Sequence, residues 1–362
     1  MNRRGTTFET VAAVVVLAIG AVVIGWKVWE WSTITNYLQA LEKRTVVEID
    51  QLQTALMSYQ DKFGEYPPCL GEAEVEVRKK RFMRHLSNVY KSASYGTEVE
   101  DFNRLRKRLM SDAANDGTGQ QYNFRDDRGN IRAIDLETLD PAETLVFWLC
   151  GFPTPYDTKS LNRITSRLVF GFYRDREDPF FRGEVAEPKY EASRNRTDPL
   201  LPINEKHLVD NDLDGWLEYA PFWSSELSPV VPFVYFDAEC YMSSTANQAT
   251  IGTVVYPQDQ KLAARRGRIS PLAEIFDPTR PVDAKWHKPE SFQIVCGGVD
   301  NHFGPPIGTE ASARRIALWP AGVTYESPNG QNFSPRELAD EEEDNLSNLD
   351  NAPLGTAMKR AK

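Results

Sequence analysis

The sequence predicts an α+β fold in which a long N-terminal transmembrane-plus-amphipathic helix packs on an antiparallel sheet head. An uninterrupted apolar run from Val11 to Trp26 follows a basic N-terminus. A stripe of apolar residues at helical spacing continues from there to residue 63. From about residue 151, short apolar runs alternate with Pro, Gly and Asn turns, which is typical of strands joined by loops.

The composition indicates a folded protein that does not bind nucleic acid. The 362 residues are 41% hydrophobic and 26% charged, as in folded domains. The net charge of −10, from 42 basic and 52 acidic residues, argues against a nucleic-acid partner, because phosphate binding needs a basic surface.

The N-terminal apolar run predicts a single membrane span. Between Val11 and Val28 the only charge is Lys27, and about 20 apolar residues are needed to cross a bilayer. Arg3 and Arg4 precede the run, so the N-terminus is expected in the cytoplasm and the bulk of the chain in the periplasm or outside the cell. A single-pass inner-membrane protein is therefore expected, with a cleaved secretory signal as the alternative.

An amphipathic helix is predicted after the apolar run. Its apolar positions follow spacings of three and four residues: Leu38, Leu41, Thr45, Ile49, Leu52, Leu56, Tyr59 and Phe63. Gly64 and the Tyr66-Pro67-Pro68 segment end the helix. The stripe is expected to pack against the protein's own globular region, and a coiled coil is the alternative.

Further helices and strands are predicted from residue 70 onward. Residues 70–130 are mostly helical in pattern, with a loop from Asp112 to Asn130, and Pro141 to Leu149 reads as a short apolar helix with Glu143 in its first turn. The predicted strands lie in five apolar runs: Arg167–Tyr173, Val230–Phe236, Ala249–Tyr256, Phe292–Val295 and Arg315–Trp319.

Four widely spaced cysteines exclude the Cys-x-x-Cys patterns of zinc knuckles and thioredoxin-like sites. They are Cys69, Cys150, Cys240 and Cys296. Two disulfides with any of three connectivities, or buried free thiols, are both consistent with an exported protein.

Several segments together resemble type IV pilin-like proteins. A basic leader ends in Gly5, Glu9 opens the apolar span, and the segment Val47-Glu-Ile-Asp-Gln-Leu-Gln-Thr-Ala-Leu-Met-Ser-Tyr-Gln-Asp-Lys-Phe-Gly-Glu-Tyr-Pro-Pro68 is similar to the helix end of major pseudopilins of type II secretion systems. Residues 292–304 and 344–349 look like the last strand, glycine-rich loop and closing segment of that family. Between the matches lies a large insertion.

The resemblance divides the chain into six segments. These are a leader-like segment 1–5, a transmembrane helix 6–32, an amphipathic helix and turn 33–68, an inserted globular region 69–290, a C-terminal pilin-like region 291–350 and a tail 351–362.

The resemblance implies processing and assembly at the N-terminus. Cleavage between Gly5 and Thr6 by a prepilin peptidase would make Thr6 the first residue and Glu9 the fourth, whereas the family usually has Phe or Met first and Glu fifth. In a filament of packed helices, Glu9 would neutralise the α-amino group of a neighbouring subunit. The alternative is a carboxylate that caps the N-terminus of the helix.

The function implied by the resemblance is structural and not enzymatic. Identical or related pilin-like subunits would assemble through their N-terminal helices into a pseudopilus or a related type IV filament that supports protein export. The alternatives are a signal-anchored exported binding module or hydrolase, and a minor pilin or adhesin at a filament tip.

One acidic loop predicts a calcium site from its residues alone. Asp210, Asp212 and Asp214 alternate before Gly215, which lets a loop wrap oxygen ligands around one Ca²⁺, and Glu218 occupies loop position nine. Position twelve is a proline instead of the bidentate glutamate of an EF-hand. An ordinary acidic turn is the alternative.

A second calcium site is implied only by the resemblance. The positions that match the family's C-terminal calcium loop are Asp300 and Asp344, with Asn301 nearby. Acidic surface turns are the alternative here too.

No catalytic constellation is recognisable in the sequence. The four histidines are isolated, and neither a Gly-x-Ser-x-Gly elbow nor a phosphate-binding glycine loop is present.

Overall fold

The protein was analysed as a computed structural model. The structure describes residues 5–72, 75–91, 96–115, 123–125, 131–151, 154–155, 168–172, 174–175, 179–180, 195–222, 230–242, 256–257, 260–277, 284–304, 314–318, 321, 323–327, 334–337 and 345–349. The chain divides into two compact units, Met1–Arg44 and Thr45–Lys362.

The described elements form an α+β protein. The helices are α1 (Gly5–Phe63), α2 (Val75–Tyr90), α3 (Val99–Asn115), α4 (Glu143–Cys150), α5 (Ala238–Met242) and α6 (Gln260–Arg266), with 3₁₀ turns at Leu136–Thr138 and Glu205–His207. The strands are β1 (Asn123–Arg125), β2 (Ile131–Ala133), β3 (Thr154–Pro155), β4 (Leu168–Val169), β5 (Leu208–Val209), β6 (Glu218–Tyr219), β7 (Phe233–Asp237), β8 (Ala273–Ile275), β9 (Lys285–Trp286), β10 (Phe292–Cys296), β11 (Arg314–Leu318), β12 (Val323–Ser327), β13 (Ser334–Glu337) and β14 (Leu346–Ser347).

The prediction of a transmembrane-plus-amphipathic helix on an antiparallel sheet head is wrong. Among the residues that the structure describes, no helix combines the length and the hydropathy that crossing a bilayer requires. The uncharged stretch of α1 between Glu9 and Lys27 has 17 residues, at the short end of the about 17–25 that spanning helices use.

The strands form several small sheets instead of one antiparallel sheet. One sheet has the order β14-β10-β7 and is antiparallel, and another has the order β13-β12-β11-β8-β9, in which β8 and β11 run parallel. Three two-stranded pairs are separate from both: β1-β2, β3-β4 and β5-β6. Each of the described strands has only two to five residues.

In the first unit, the described side chains of α1 lie largely in solvent. Trp26 and Trp29 are each 63% exposed, and Tyr37 is 62% exposed. The side chains of residues 5–25 lie outside the described set.

In the second unit, the remainder of α1 contributes to the hydrophobic core, as predicted. Leu52 and Leu56 are fully buried, and Tyr59 is 1% exposed. The helix ends at Phe63, and Gly64 adopts a φ of 88°, which glycine reaches without steric cost. The packing of the helical stripe from Thr45 onward is therefore confirmed.

The turn after α1 is fixed by three hydrogen bonds from two other elements. The Tyr235 hydroxyl donates to the Pro67 carbonyl at 2.8 Å, and the Trp148 indole donates to the Pro68 carbonyl at 3.2 Å. Thr144 donates to the Cys69 carbonyl at 3.1 Å. Strand β7 and helix α4 therefore hold the end of α1 in the core.

A disulfide joins Cys69 to Cys240, while Cys150 and Cys296 are buried free thiols. The Asp237 carboxylate supports the bridge, because it accepts hydrogen bonds from the Cys69 N–H at 2.7 Å and the Cys240 N–H at 3.0 Å. Neither alternative left open by the sequence holds for all four cysteines, because one disulfide forms and the other two thiols stay free.

Candidate functional site

The acidic loop between β5 and β6 adopts the turn that the sequence predicts. Strands β5 and β6 pair antiparallel, with Val209 opposite Glu218. The backbone N–H of Gly215 donates to Asp210 Oδ2 at 3.1 Å, and the N–H of Trp216 donates to Asp214 Oδ1 at 2.9 Å. Gly215 has a φ of 96°, which explains the glycine at this position.

A carboxylate from another part of the chain reaches the same loop. Glu143 lies in the first turn of α4, all eight residues of which are buried. Asp140 Oδ1 accepts hydrogen bonds from the N–H groups of Ala142 at 2.8 Å and Glu143 at 3.1 Å, and Glu143 Oε2 accepts one from the Asp140 N–H at 2.9 Å. This reciprocal capping box fixes the glutamate side chain.

Three carboxylates converge on one point. Each of Glu143, Asp212 and Asp214 offers an oxygen, and these three oxygens lie within 4.8 Å of one another. Glu143 is 1% exposed, Asp214 is half-buried and Asp212 is exposed, so the cluster opens from a buried base towards solvent. We call Glu143, Asp212 and Asp214 the acidic centre.

Glu218, a predicted ligand, is engaged by protein donors instead. Its Oε1 accepts a hydrogen bond from the Tyr256 hydroxyl, and its Oε2 accepts one from the Asn211 amide. Asn211 also bonds the backbone of Val230, donating to its carbonyl at 2.8 Å and accepting from its N–H at 3.1 Å. Glu218 therefore links the acidic loop to Tyr256 through hydrogen bonds, and it is not one of the three carboxylates of the acidic centre.

The carboxylates of the region repel one another strongly. Burial raises the pKa of Glu143 well above its ordinary value, and the negative charges of Asp214 and Asp140 raise it further. Crowding by protein atoms and the charges of Asp214 and Asp140 raise the pKa of Asp212 to about 9, although this side chain still reaches solvent. Burial raises the pKa of Asp140 to about 7 despite the opposing charge of Arg78. A bound cation would remove this repulsion.

The second predicted calcium site does not converge within the described residues. Asp300 is exposed, and its Oδ1 accepts a hydrogen bond from the His302 N–H at 2.9 Å. Asn301 is 1% exposed and uses its amide oxygen to accept from the Val231 N–H at 2.7 Å, which is a structural role. Asp344 lies outside the described residues.

The N-terminal processing and assembly residues are placed only by the backbone. Helix α1 begins at Gly5 and includes Thr6 and Glu9, whose side chains lie outside the described set.

A second cluster with metal-ligand chemistry is explained by the disulfide. Cys69, Asp237 and Cys240 have close ligand atoms, but the two sulfurs are bonded to each other. The Asp237 carboxylate also pairs with Arg81 at 2.6 Å, so its charge is compensated.

Sequence reasoning missed Glu143 as a member of the acidic centre. The only local signal was a carboxylate at the start of a strongly apolar helix, which the capping box alone accounts for. Its approach to the loop depends on the tertiary fold.

Comparison of the chain with protein-family models, with curated proteins and with solved structures finds no match.

Proposed function

We propose that this protein is a structural, non-enzymatic, pilin-like subunit of a type II secretion pseudopilus or a related type IV filament, which assembles through its N-terminal helix. The observation that carries the proposal is the contrast along α1. Large apolar side chains are exposed before residue 45, whereas the apolar stripe of the second unit is buried.

The large apolar residues that are exposed on α1 before residue 45 lie on one side of the helix, although polar residues of this segment are exposed all round it. At about 100° per residue, Trp26, Trp29, Ile34 and Tyr37 fall within less than half of the helix circumference. The Trp26 and Trp29 ring centroids are 5.7 Å apart. Removing these apolar side chains from water would be favourable. We propose that the same helix of a second copy, or of a related subunit, packs on them.

The disulfide supports the proposed export of the globular region. Disulfides persist in oxidising compartments and are rare in the cytosol. The disulfide between Cys69 and Cys240 joins the segment directly after α1 to helix α5. The covalent bond therefore lies next to the turn that ends α1.

Sedimentation velocity of the full chain tests the proposal. We expect the wild type to form concentration-dependent oligomers, and a variant with Trp26→Ser, Trp29→Ser and Tyr37→Ser to remain monomeric. Val47→Ser with Met57→Ser is the matched control, because these side chains are also apolar, on α1 and about half exposed. A monomeric wild type, or equal loss of oligomers in the control, would overturn the proposal.

A further inference from the structure

We propose that Glu143, Asp212 and Asp214 bind a Ca²⁺ ion that joins helix α4 to the acidic loop. This inference goes beyond the proposed filament function and does not depend on it. It replaces the predicted ligand Glu218 with Glu143, a residue from a different element.

The spacing of the three carboxylates fits one calcium ion. Protein oxygens bind Ca²⁺ at 2.3–2.6 Å, so two ligands of the same ion lie at most about 5 Å apart. The oxygens of Glu143, Asp212 and Asp214 satisfy this limit, since all lie within 4.8 Å of one another.

The second observation is the buried, unpartnered oxygen of Glu143. Its Oε2 is held by the Asp140 N–H, whereas its Oε1 has no hydrogen-bond partner among the described residues and the side chain is 1% exposed. A buried acceptor without a partner destabilises the folded state, and more so if it is charged. The carboxylates that converge with that of Glu143 are those of Asp212 and Asp214. A cation at the acidic centre would supply the missing partner.

The donor set selects a hard divalent cation. All three ligands are carboxylates, which suit hard cations. The group contains neither His nor Cys, the ligands that zinc and copper prefer. Ca²⁺ suits the site better than Mg²⁺ because it tolerates irregular geometry and a flexible loop.

The loop also explains why a distant glutamate is needed. An EF-hand loop ends in a bidentate glutamate at position twelve, but position twelve here is Pro221. Glu143 supplies a carboxylate from the rigid, buried helix α4 in its place. Asp210 shapes the loop through its bond to the Gly215 N–H.

Isothermal titration of the full chain with CaCl₂, after removal of divalent ions with EDTA, tests the inference. We expect one site per chain, with Ca²⁺ affinity lowered at least tenfold in Glu143→Gln and in Asp212→Asn. Asp212 is exposed, so its variant separates ligand loss from loss of folding. Circular dichroism in EDTA provides the check on folding.

Asp300→Asn is the matched control, because it removes a carboxylate from the other candidate loop. We expect wild-type affinity in this variant. Absence of Ca²⁺ binding at 1 mM, unchanged affinity in Asp212→Asn, loss of binding in Asp300→Asn, or equal affinity for Mg²⁺ would each overturn the assignment. Oligomer formation by the wild type is a separate readout, so failure here leaves the filament proposal standing.

Discussion

Asp140 and Glu143 cap helix α4 reciprocally. Asp140 Oδ1 accepts from the Glu143 N–H at 3.1 Å, and Glu143 Oε2 accepts from the Asp140 N–H at 2.9 Å. The same pair of bonds leaves Glu143 Oε1 without a hydrogen-bond partner among the described residues, and the Glu143 carboxylate offers an oxygen to the acidic centre. The start of a buried helix thus also positions the inner carboxylate of the acidic centre.

Loss of the Asp140 cap should destabilise the protein even without calcium. We expect Asp140→Ala to lower the free energy of unfolding by about 0.5–2 kcal/mol, because two N–H groups at the start of α4 lose their acceptor. Asp140→Asn should retain most of this energy, since its amide oxygen still accepts. Urea denaturation in EDTA measures both variants, and equal losses in the two would argue against a capping role.

The His85 environment predicts a loss of stability on mild acidification. His85 Nδ1 lies 2.7 Å from Glu65 Oε1 and its Nε2 lies 2.8 Å from the Tyr59 hydroxyl, and the neutral Nδ1–H tautomer satisfies both bonds. Burial lowers the pKa of His85 below its ordinary value of about 6.5. The unfolded chain therefore takes up this proton at a higher pH than the folded chain does. The stability that the neutral ring contributes is complete above about pH 6.5 and falls as the pH drops towards the lower folded pKa.

Thermal unfolding between pH 8 and pH 5 measures this effect. We expect the melting temperature of His85→Gln to fall less over this range than that of the wild type. His302→Gln, at a partly exposed histidine, is the control and should keep the wild-type slope. Parallel curves for His85→Gln and the wild type would show that another group causes the pH dependence.

The Cys69–Cys240 disulfide should contribute substantially to stability. The bonded residues are 171 positions apart, so the bridge restricts a long segment of the unfolded chain. We expect Cys69→Ala with Cys240→Ala to lower the free energy of unfolding by about 2–5 kcal/mol. Guanidinium denaturation of this variant and the oxidised wild type gives the difference, and an unchanged midpoint would contradict the expectation.

Thiol labelling supplies the control for that bridge. Cys150 and Cys296 are buried, and burial raises the pKa of the Cys150 thiol, which suppresses the reactive thiolate. Both should react with iodoacetamide only after unfolding. Labelling of Cys69 or Cys240 in the unreduced protein would refute the pairing.

Two neighbouring residues of α1 test the orientation of its stripe. Leu56 is fully buried and Met57 is 50% exposed. We expect Leu56→Ala to lower the free energy of unfolding by about 2–5 kcal/mol, because it leaves a cavity in the core. Met57→Ala should change it by less than about 0.5 kcal/mol. Urea denaturation distinguishes the two, and similar losses would mean that the helix face is misassigned.

Local patterns in the sequence predicted the local structure well. The residues of the stripe between Thr45 and Tyr59 are three or four positions apart, which predicts that they share one helix face. Those residues are buried as expected. The glycine after alternating aspartates likewise predicted the turn at Gly215, because only local backbone geometry decides it.

Features that depend on long-range contacts were predicted poorly. Nothing in the sequence shows that Glu143 meets Asp214, or that Tyr256 and Asn211 occupy both oxygens of Glu218. The division into several short sheets was missed for the same reason. The predicted transmembrane helix was wrong, since no helix among the described residues has the length and hydropathy of a span.

Photo-crosslinking in the native cell tests assembly through the N-terminal helix. Trp29 would be replaced by a benzophenone amino acid in the full chain, with the same replacement at Met57 as the control. We expect crosslinks at position 29 to a second copy or to a related pilin-like subunit, and few at position 57. A chain that remains uncrosslinked at position 29, or that crosslinks equally at both positions, would contradict assembly through the N-terminal helix.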